Sequence, residues 1–141
     1  MNLKEITNIA ASGLAAQRTR LAATASNIAN AETTRTEGGG PYRRRDPVFR
    51  TAQPDIGFAG SLARAMRSVE VVRMNLDDGP PVSRFSPGHP DADENGFVDF
   101  PRVHVVQEMA NLMSASRSYE SNLLIIRKAR QMADAALRIG R

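Results

Sequence analysis

The chain has 141 residues, 41% of them hydrophobic, with five Phe, two Tyr and no Trp. Much of its apolar content is therefore alanine, and a large self-sufficient core is hard to build from it. The absence of cysteine rules out disulfide staples and thiolate metal sites, and the formal charge of +4 bears on solubility and non-specific binding rather than on fold.

Residues 3–31 read as an amphipathic helix. Its apolar stripe runs through Ile6, Ala10, Leu14, Gln17, Leu21, Ala25 and Ile28, in the steps of three and four that mark the helical period. The stripe is thin and is interrupted by Gln17. Gly13 within it costs about 1 kcal/mol against Ala but lets another backbone come close. Asn27 and Asn30 near its end are open to two readings, a local cap and an interhelical contact. The first fourteen residues hold Lys4 and Glu5 and lack a compact apolar run, so a classical secretory leader is not expected.

Residues 32–102 hold all eight prolines and most of the glycines. The run Gly38-Gly39-Gly40-Pro41 ends the helical pattern. Strands are expected at Val48–Arg50, Val69–Leu76, Val82–Phe85 and Phe97–Phe100, with Asp77-Asp78-Gly79-Pro80-Pro81 as a turn between two of them. Residues 51–65 are expected to be a flexible loop.

Four tempting motifs lie in this region or in the segment after it. Asp91, Asp93, Asn95 and Gly96 match the start of a calcium-binding loop, but Arg102 occupies the twelfth position, where a bidentate Glu is required. A polar turn is the expected role. Arg43-Arg44-Arg45 could meet phosphates, but Asp46 follows and no aromatics are interleaved, so a surface or interface role against carboxylates is expected, with no nucleic acid. His89 and His104 lack a third ligand, and Ser114, Ser116, Ser118 and Ser121 lack a nucleophile elbow. No catalytic residue, metal or cofactor is expected.

Residues 103–139 contain no Gly or Pro. Val105, Leu112, Tyr119, Ile126 and Ala133 recur every seventh residue, and Met109, Ser116, Leu123, Arg130 and Leu137 fill a second heptad position. A helix of about 36 residues would be about 54 Å long, more than a domain of this size is wide. The fold class expected is mainly α with a small β insertion. Long terminal helices would pack in a coiled-coil-like, filament-forming architecture, divided as 1–31, 32–102 and 103–141. Their apolar stripes have little surface within the chain to cover them, so loosely held ends are expected before assembly. No run of about 18 apolar residues is present, so an integral membrane protein is not expected.

Ser26-Asn-Ile-Ala-Asn30 followed by Thr33 or Thr34 resembles the N-terminal signature of bacterial flagellar rod and hook proteins. Ser114-Ala-Ser-Arg-Ser-Tyr-Glu-Ser-Asn122 resembles their C-terminal motif. Gly39-Gly-Pro-Tyr-Arg43 with Val48-Phe49, Pro87 to Gly96, and Pro101 to Met113 narrow the likeness to the proximal rod family. The resemblance implies a structural subunit of the basal-body rod, not an enzyme. It implies partners among other rod proteins and copies of itself, passage through the flagellar type III export apparatus without a cleaved signal, contact with basal-body ring components, and a place in the periplasm-spanning rod. The assembly interface would then comprise Leu14, Leu21, Asn27, Ile28 and Asn30 of the first helix, with Val105, Met109, Leu112, Ser116, Tyr119, Leu123 and Ile126 of the last. A coiled-coil regulatory protein outside the rod is the alternative, but it leaves the Asn27/Asn30 motif and the strands without a role.

Overall fold

A computed structural model describes residues 3–52 and 67–139. Helix α1 spans Leu3–Ala29 and helix α2 spans Val105–Ile139. Between them lie β1 (Arg45–Ala52), β2 (Ser68–Leu76), β3 (Val82–Phe85) and β4 (Phe97–Phe100). The strands form two separate antiparallel hairpins, β1 with β2 and β3 with β4. The expected elements are thus present, with β1 longer than anticipated. Of the loop expected over 51–65, Thr51 and Ala52 belong to β1, and 53–65 lie outside the described residues.

The helices pack against one another within the single chain, which differs from the expectation of loosely held ends. Asn27 meets Glu108, and Gly13 meets Asn122. Going back from 27 to 13 on α1 accompanies going forward from 108 to 122 on α2, fourteen residues on each (27 − 13 and 122 − 108). The helices are therefore antiparallel. The α2 positions turned towards α1 are Glu108, Ala115, Asn122 and Ala129. Ala115 is completely buried, Glu108 and Ala129 nearly so. This seam lies one residue before the expected second heptad position: Met109 is 53% exposed and Arg130 is exposed.

Small residues explain how two such helices pair. The buried positions of α1 are Ala10, Ala16, Ala23, Thr24 and Asn27, not the larger Leu14, Leu21 and Ile28, which are half-buried at its flank. Small side chains bury little area per residue but allow close approach. Helix α1 also packs against β1 and β2, so it has two covered sides; Ser12 Oγ accepts a hydrogen bond from Val69 N at 3.1 Å. The larger buried side chains sit at the module end of the molecule: Tyr42, Val98 and Phe100.

The chain reversal after α1 depends on glycine. Gly39 and Gly40 have φ of 80° and 72°, a region that side chains with a Cβ disfavour. Thr36 N donates to Gly40 O at 2.9 Å, and Tyr42 N donates to Thr33 O at 3.0 Å. The loop thereby returns Tyr42 to the C-terminal end of the helix it has just left. Within β1, Pro47 lacks a backbone donor, and the register slips by one residue between Val48 and Phe49.

Candidate functional site

The two asparagines of the α1 terminus have different tasks. Asn30 acts locally: its Nδ2 donates to Ser26 O at 2.9 Å, occupying a carbonyl near the helix end, and its Oδ1 accepts from Thr33 Oγ1 at 3.2 Å. Asn27 acts at long range. It is 1% exposed and makes four hydrogen bonds. Its Nδ2 donates to Arg45 O at 2.9 Å and to Glu108 Oε2 at 3.0 Å. Its Oδ1 accepts from Tyr42 OH at 3.0 Å and from Arg45 N at 2.9 Å. Two donors and two lone pairs are all that a carboxamide has, and every one is used.

Around Asn27 the other groups complete a buried polar knot. Glu108 is 2% exposed in the first turns of α2, where the helix dipole favours a negative charge. It also accepts from Arg44 Nε at 2.8 Å and from Asn111 Nδ2 at 3.4 Å. Tyr42 OH lies 3.2 Å from Ser26 Oγ as well. Burial pushes the Glu108 carboxyl up, but hydrogen bonds from Asn27 and Arg44 and the Arg44 charge outweigh it, so its pKa falls below the ordinary value. For Arg44, burial works against the charge, while Glu108 and Asp46 restore it and raise its pKa. The knot ties α1, the start of β1 and α2 together at one point.

A second clasp joins the two hairpins to the entry of α2. Arg102 grips Asp77 bidentately, Nε to Oδ2 at 3.0 Å and Nη2 to Oδ1 at 2.8 Å. Gly79 N donates to Asp77 Oδ1 at 3.0 Å. That backbone donor, with burial opposing and Arg102 reinforcing, lowers the Asp77 pKa. Arg43 pairs with Asp78 and donates from Nε to Asp77 O at 3.1 Å.

The arginine run is thus consumed inside the chain. Arg43 serves the Asp77–Asp78 turn, Arg44 serves Glu108, and the Arg45 guanidinium lies over the Tyr42 ring, 5.7 Å from its centroid. The carboxylate partners expected of a neighbour are found in the same molecule. The acidic turn is also committed. Asp93 Oδ1 accepts from Asn95 N and Phe97 N at 2.9 and 2.8 Å, and Asp91 Oδ2 accepts from Thr34 Oγ1 at 2.8 Å. His89 Nδ1 accepts from Asp91 N at 3.1 Å. Among the described residues no group of three His, Cys, Asp or Glu is placed to hold a metal ion. The serines of α2 bond along their own helix, Ser118 to Ser114 O at 3.0 Å and Ser121 to Arg117 O at 2.9 Å.

Of the residues expected at an assembly interface, only Asn27 is fully buried in the single chain. Leu14, Leu21, Ile28, Asn30, Leu112, Ser116, Tyr119, Leu123 and Ile126 are half-covered, while Val105 and Met109 are exposed. The sequence assigned no such contact to Glu108 and Tyr42, whose side chains meet Asn27, or to Arg44, which meets Glu108. A Glu four residues into a helix, beneath an Arg-rich segment, is the available signal, and it is too common to select this one.

Related chains identify the family. Residues 8–35, which include Asn27, match the family described as flagella basal body rod protein. Residues 94–139, which include Glu108, match the flagellar basal body rod FlgEFG protein C-terminal family. The flagellar basal-body rod protein FlgC of Salmonella typhimurium is 40% identical, covering 99% of both chains. That of Borreliella burgdorferi is 36% identical over 99% of this chain and 98% of its own, and that of Bacillus subtilis 33% identical over 95% of each. The chain belongs to the FlgC family of flagellar basal-body rod proteins. The family consists of structural rod proteins rather than enzymes, which agrees with the resemblance drawn from the sequence. The two matched segments meet here along the α1–α2 seam, and the hydrogen bond from Asn27 to Glu108 joins one to the other. Among the described residues no helix is long and apolar enough to cross a membrane.

Proposed function

We propose that this chain builds the proximal part of the rod, co-assembling with other rod proteins and copies of itself to carry torque from motor to hook. The observation that carries this reading is the saturated Asn27 knot. Torque transmission needs the helices that contact neighbours to be rigidly coupled to the module between them. A buried, charge-assisted network of directional bonds resists sliding where a purely apolar, alanine-lined seam would tolerate it. Val105 and Met109, exposed in the single chain, are offered to neighbours, and the half-covered Leu14, Leu21, Ile28, Leu112, Tyr119, Leu123 and Ile126 gain further cover on assembly. Asn27 and Asn30 contribute from within, by setting the shape that neighbours meet. Coiled-coil-like packing of terminal helices between subunits, passage through the type III export apparatus without a cleaved signal, and contact with the basal-body rings where the rod crosses the periplasm belong to the same proposal. Electron microscopy of basal bodies isolated from cells carrying an epitope-tagged chain tests it. Label on the rod near the inner membrane is expected; label on the hook alone, or none on basal bodies, contradicts it.

A further inference from the structure

Two exposed surfaces of opposite charge lie on different elements of this molecule. The first is the outer face of the β3–β4 hairpin. Phe85 and Phe97 are cross-strand partners, 66% and 45% exposed, with ring centroids 5.5 Å apart and edges turned to faces. Ser83 and Asp99, the next outward pair, bond beside them. The inner positions, Val98 and Phe100, are buried, so the aromatic pair is not part of the core. Residues 85–101 contain four acids, Asp91, Asp93, Glu94 and Asp99, and no Lys or Arg. Arg35 approaches Asp91 at 3.5 Å; Glu94, in the turn, is exposed.

The second surface is the side of α2 turned away from α1. Met113, Arg117, Leu124 and Lys128 follow one another at steps of four, seven and four, which keeps them on one helical face. Met113 stands two residues, more than half a turn, from the buried Ala115, and so points away from α1. Met113 is 56% and Leu124 55% exposed. Residues 117–138 carry five cations, Arg117, Arg127, Lys128, Arg130 and Arg138, against Glu120 and Asp134, a net of 5 − 2 = +3. None of these cations makes an ion pair among the described residues. The far end of the second surface is remote from the hairpin of its own chain. The hairpin joins α2 at its start, and Lys128 lies 23 residues beyond Val105, about 35 Å along a helix.

We propose that the Phe85–Phe97 face of one copy docks on the outer α2 face around Leu124 of a second copy, with Glu94 and Asp99 opposite Arg117 and Lys128. The two patches are different, so the contact is head-to-tail and leaves a free patch of each kind at the ends of any chain of copies. The proposal rests on the reading of this chain as a rod subunit, and specifies how one copy meets the next.

Sedimentation velocity on the purified full-length chain tests it. Association is expected at about 50 mM salt and should weaken at least about tenfold at about 500 mM, because exposed charges are screened. The Arg117→Glu/Lys128→Glu variant and the Glu94→Lys/Asp99→Lys variant should each lose self-association while keeping wild-type helix content by circular dichroism. Mixed together they should associate again, since each supplies the surface complementary to the other's. Phe85→Ser, which touches no charge, should weaken association at both salt concentrations. Salt-independent association, association unaffected by either reversal, or failure of the mixture to recover overturns the proposal. So does a wild-type chain that stays monomeric at every concentration. If that chain is nonetheless found in the rod of isolated basal bodies, this docking pair is wrong and the rod reading stands.

Discussion

Gly13 of α1 lies against the side chain of Asn122 of α2, so closely that a Cβ added to the glycine would stand 3.0 Å from Asn122 Oδ1. The asparagine is held there by its own helix, Nδ2 donating to Ser118 O at 2.9 Å. Glycine in the middle of a helix costs about 1 kcal/mol relative to alanine, and here that cost accompanies close helix approach.

Replacing Gly13 therefore has an effect that depends on Asn122. Gly13→Ala alone should be near neutral, the helix gain being offset by crowding. Gly13→Ala combined with Asn122→Ala should be more stable than Asn122→Ala alone by about 1 kcal/mol. Gly13→Leu should destabilise by about 2 kcal/mol or more through overpacking. Urea unfolding of the four variants measures all three outcomes.

Asn27→Ala should destabilise by roughly 2–4 kcal/mol, because it leaves Tyr42 OH, the Arg45 backbone and one Glu108 oxygen short of partners in a buried place. Asn27→Asp should be worse near neutral pH, since it sets a carboxylate against Glu108. That extra penalty should shrink as the solution is acidified and one of the two carboxyls takes up a proton. Asn30→Ala, which removes the local bonds to Ser26 O and Thr33 Oγ1, should cost about 1 kcal/mol.

Stability should fall in acid for a defined reason. Glu108 and Asp77 have folded-state pKa values below their ordinary ones. Their contribution is complete above the unfolded-state carboxylate pKa and is lost as pH falls through the folded value. Glu108→Gln should lower stability at pH 7 and flatten the acid limb of a stability–pH curve. Unfolding midpoints measured from pH 7 down to about 3 check this. An unchanged slope would mean that Glu108 does not titrate as the knot requires.

Leu123→Asp should prevent hook and filament formation and abolish motility while the protein is still made. Leu123 is half-covered in the single chain, and a charge there meets whatever completes its burial. Arg127→Asp, at an exposed position, should be milder in this respect. Filaments that form but do not rotate would argue for a role in torque alone.

The periodicity of α1 and α2 and the Pro/Gly turns placed both helices, and strands β3 and β4 fall at the expected residues. The seam was less legible. Leu123 and Met109 are the more apolar choices for a heptad position, whereas the residues that face α1 are Glu108 and Asn122. Hydrophobicity ranks side chains by their behaviour in water and takes no account of a partner that offers glycine, alanine and a carboxamide. The sequence left an interhelical contact open for Asn27 but hid its partners for a related reason: they lie 15 to 81 residues away. The arginine run looked outward in the sequence because the Glu that receives Arg44 is 64 residues further on.

Asn27 and Glu108 are separated by 81 residues, and that distance governs time as well as shape. A contact of this separation bears the entropy of closing a long loop before it returns any bond energy. Each helix and each hairpin is local and can form early; the knot cannot form until both ends of the chain are free to meet. The step that makes the molecule stiff is therefore also the one expected to come last, and a substitution there should act mainly on how long the finished shape survives, through the unfolding rate, and little on how fast its pieces appear.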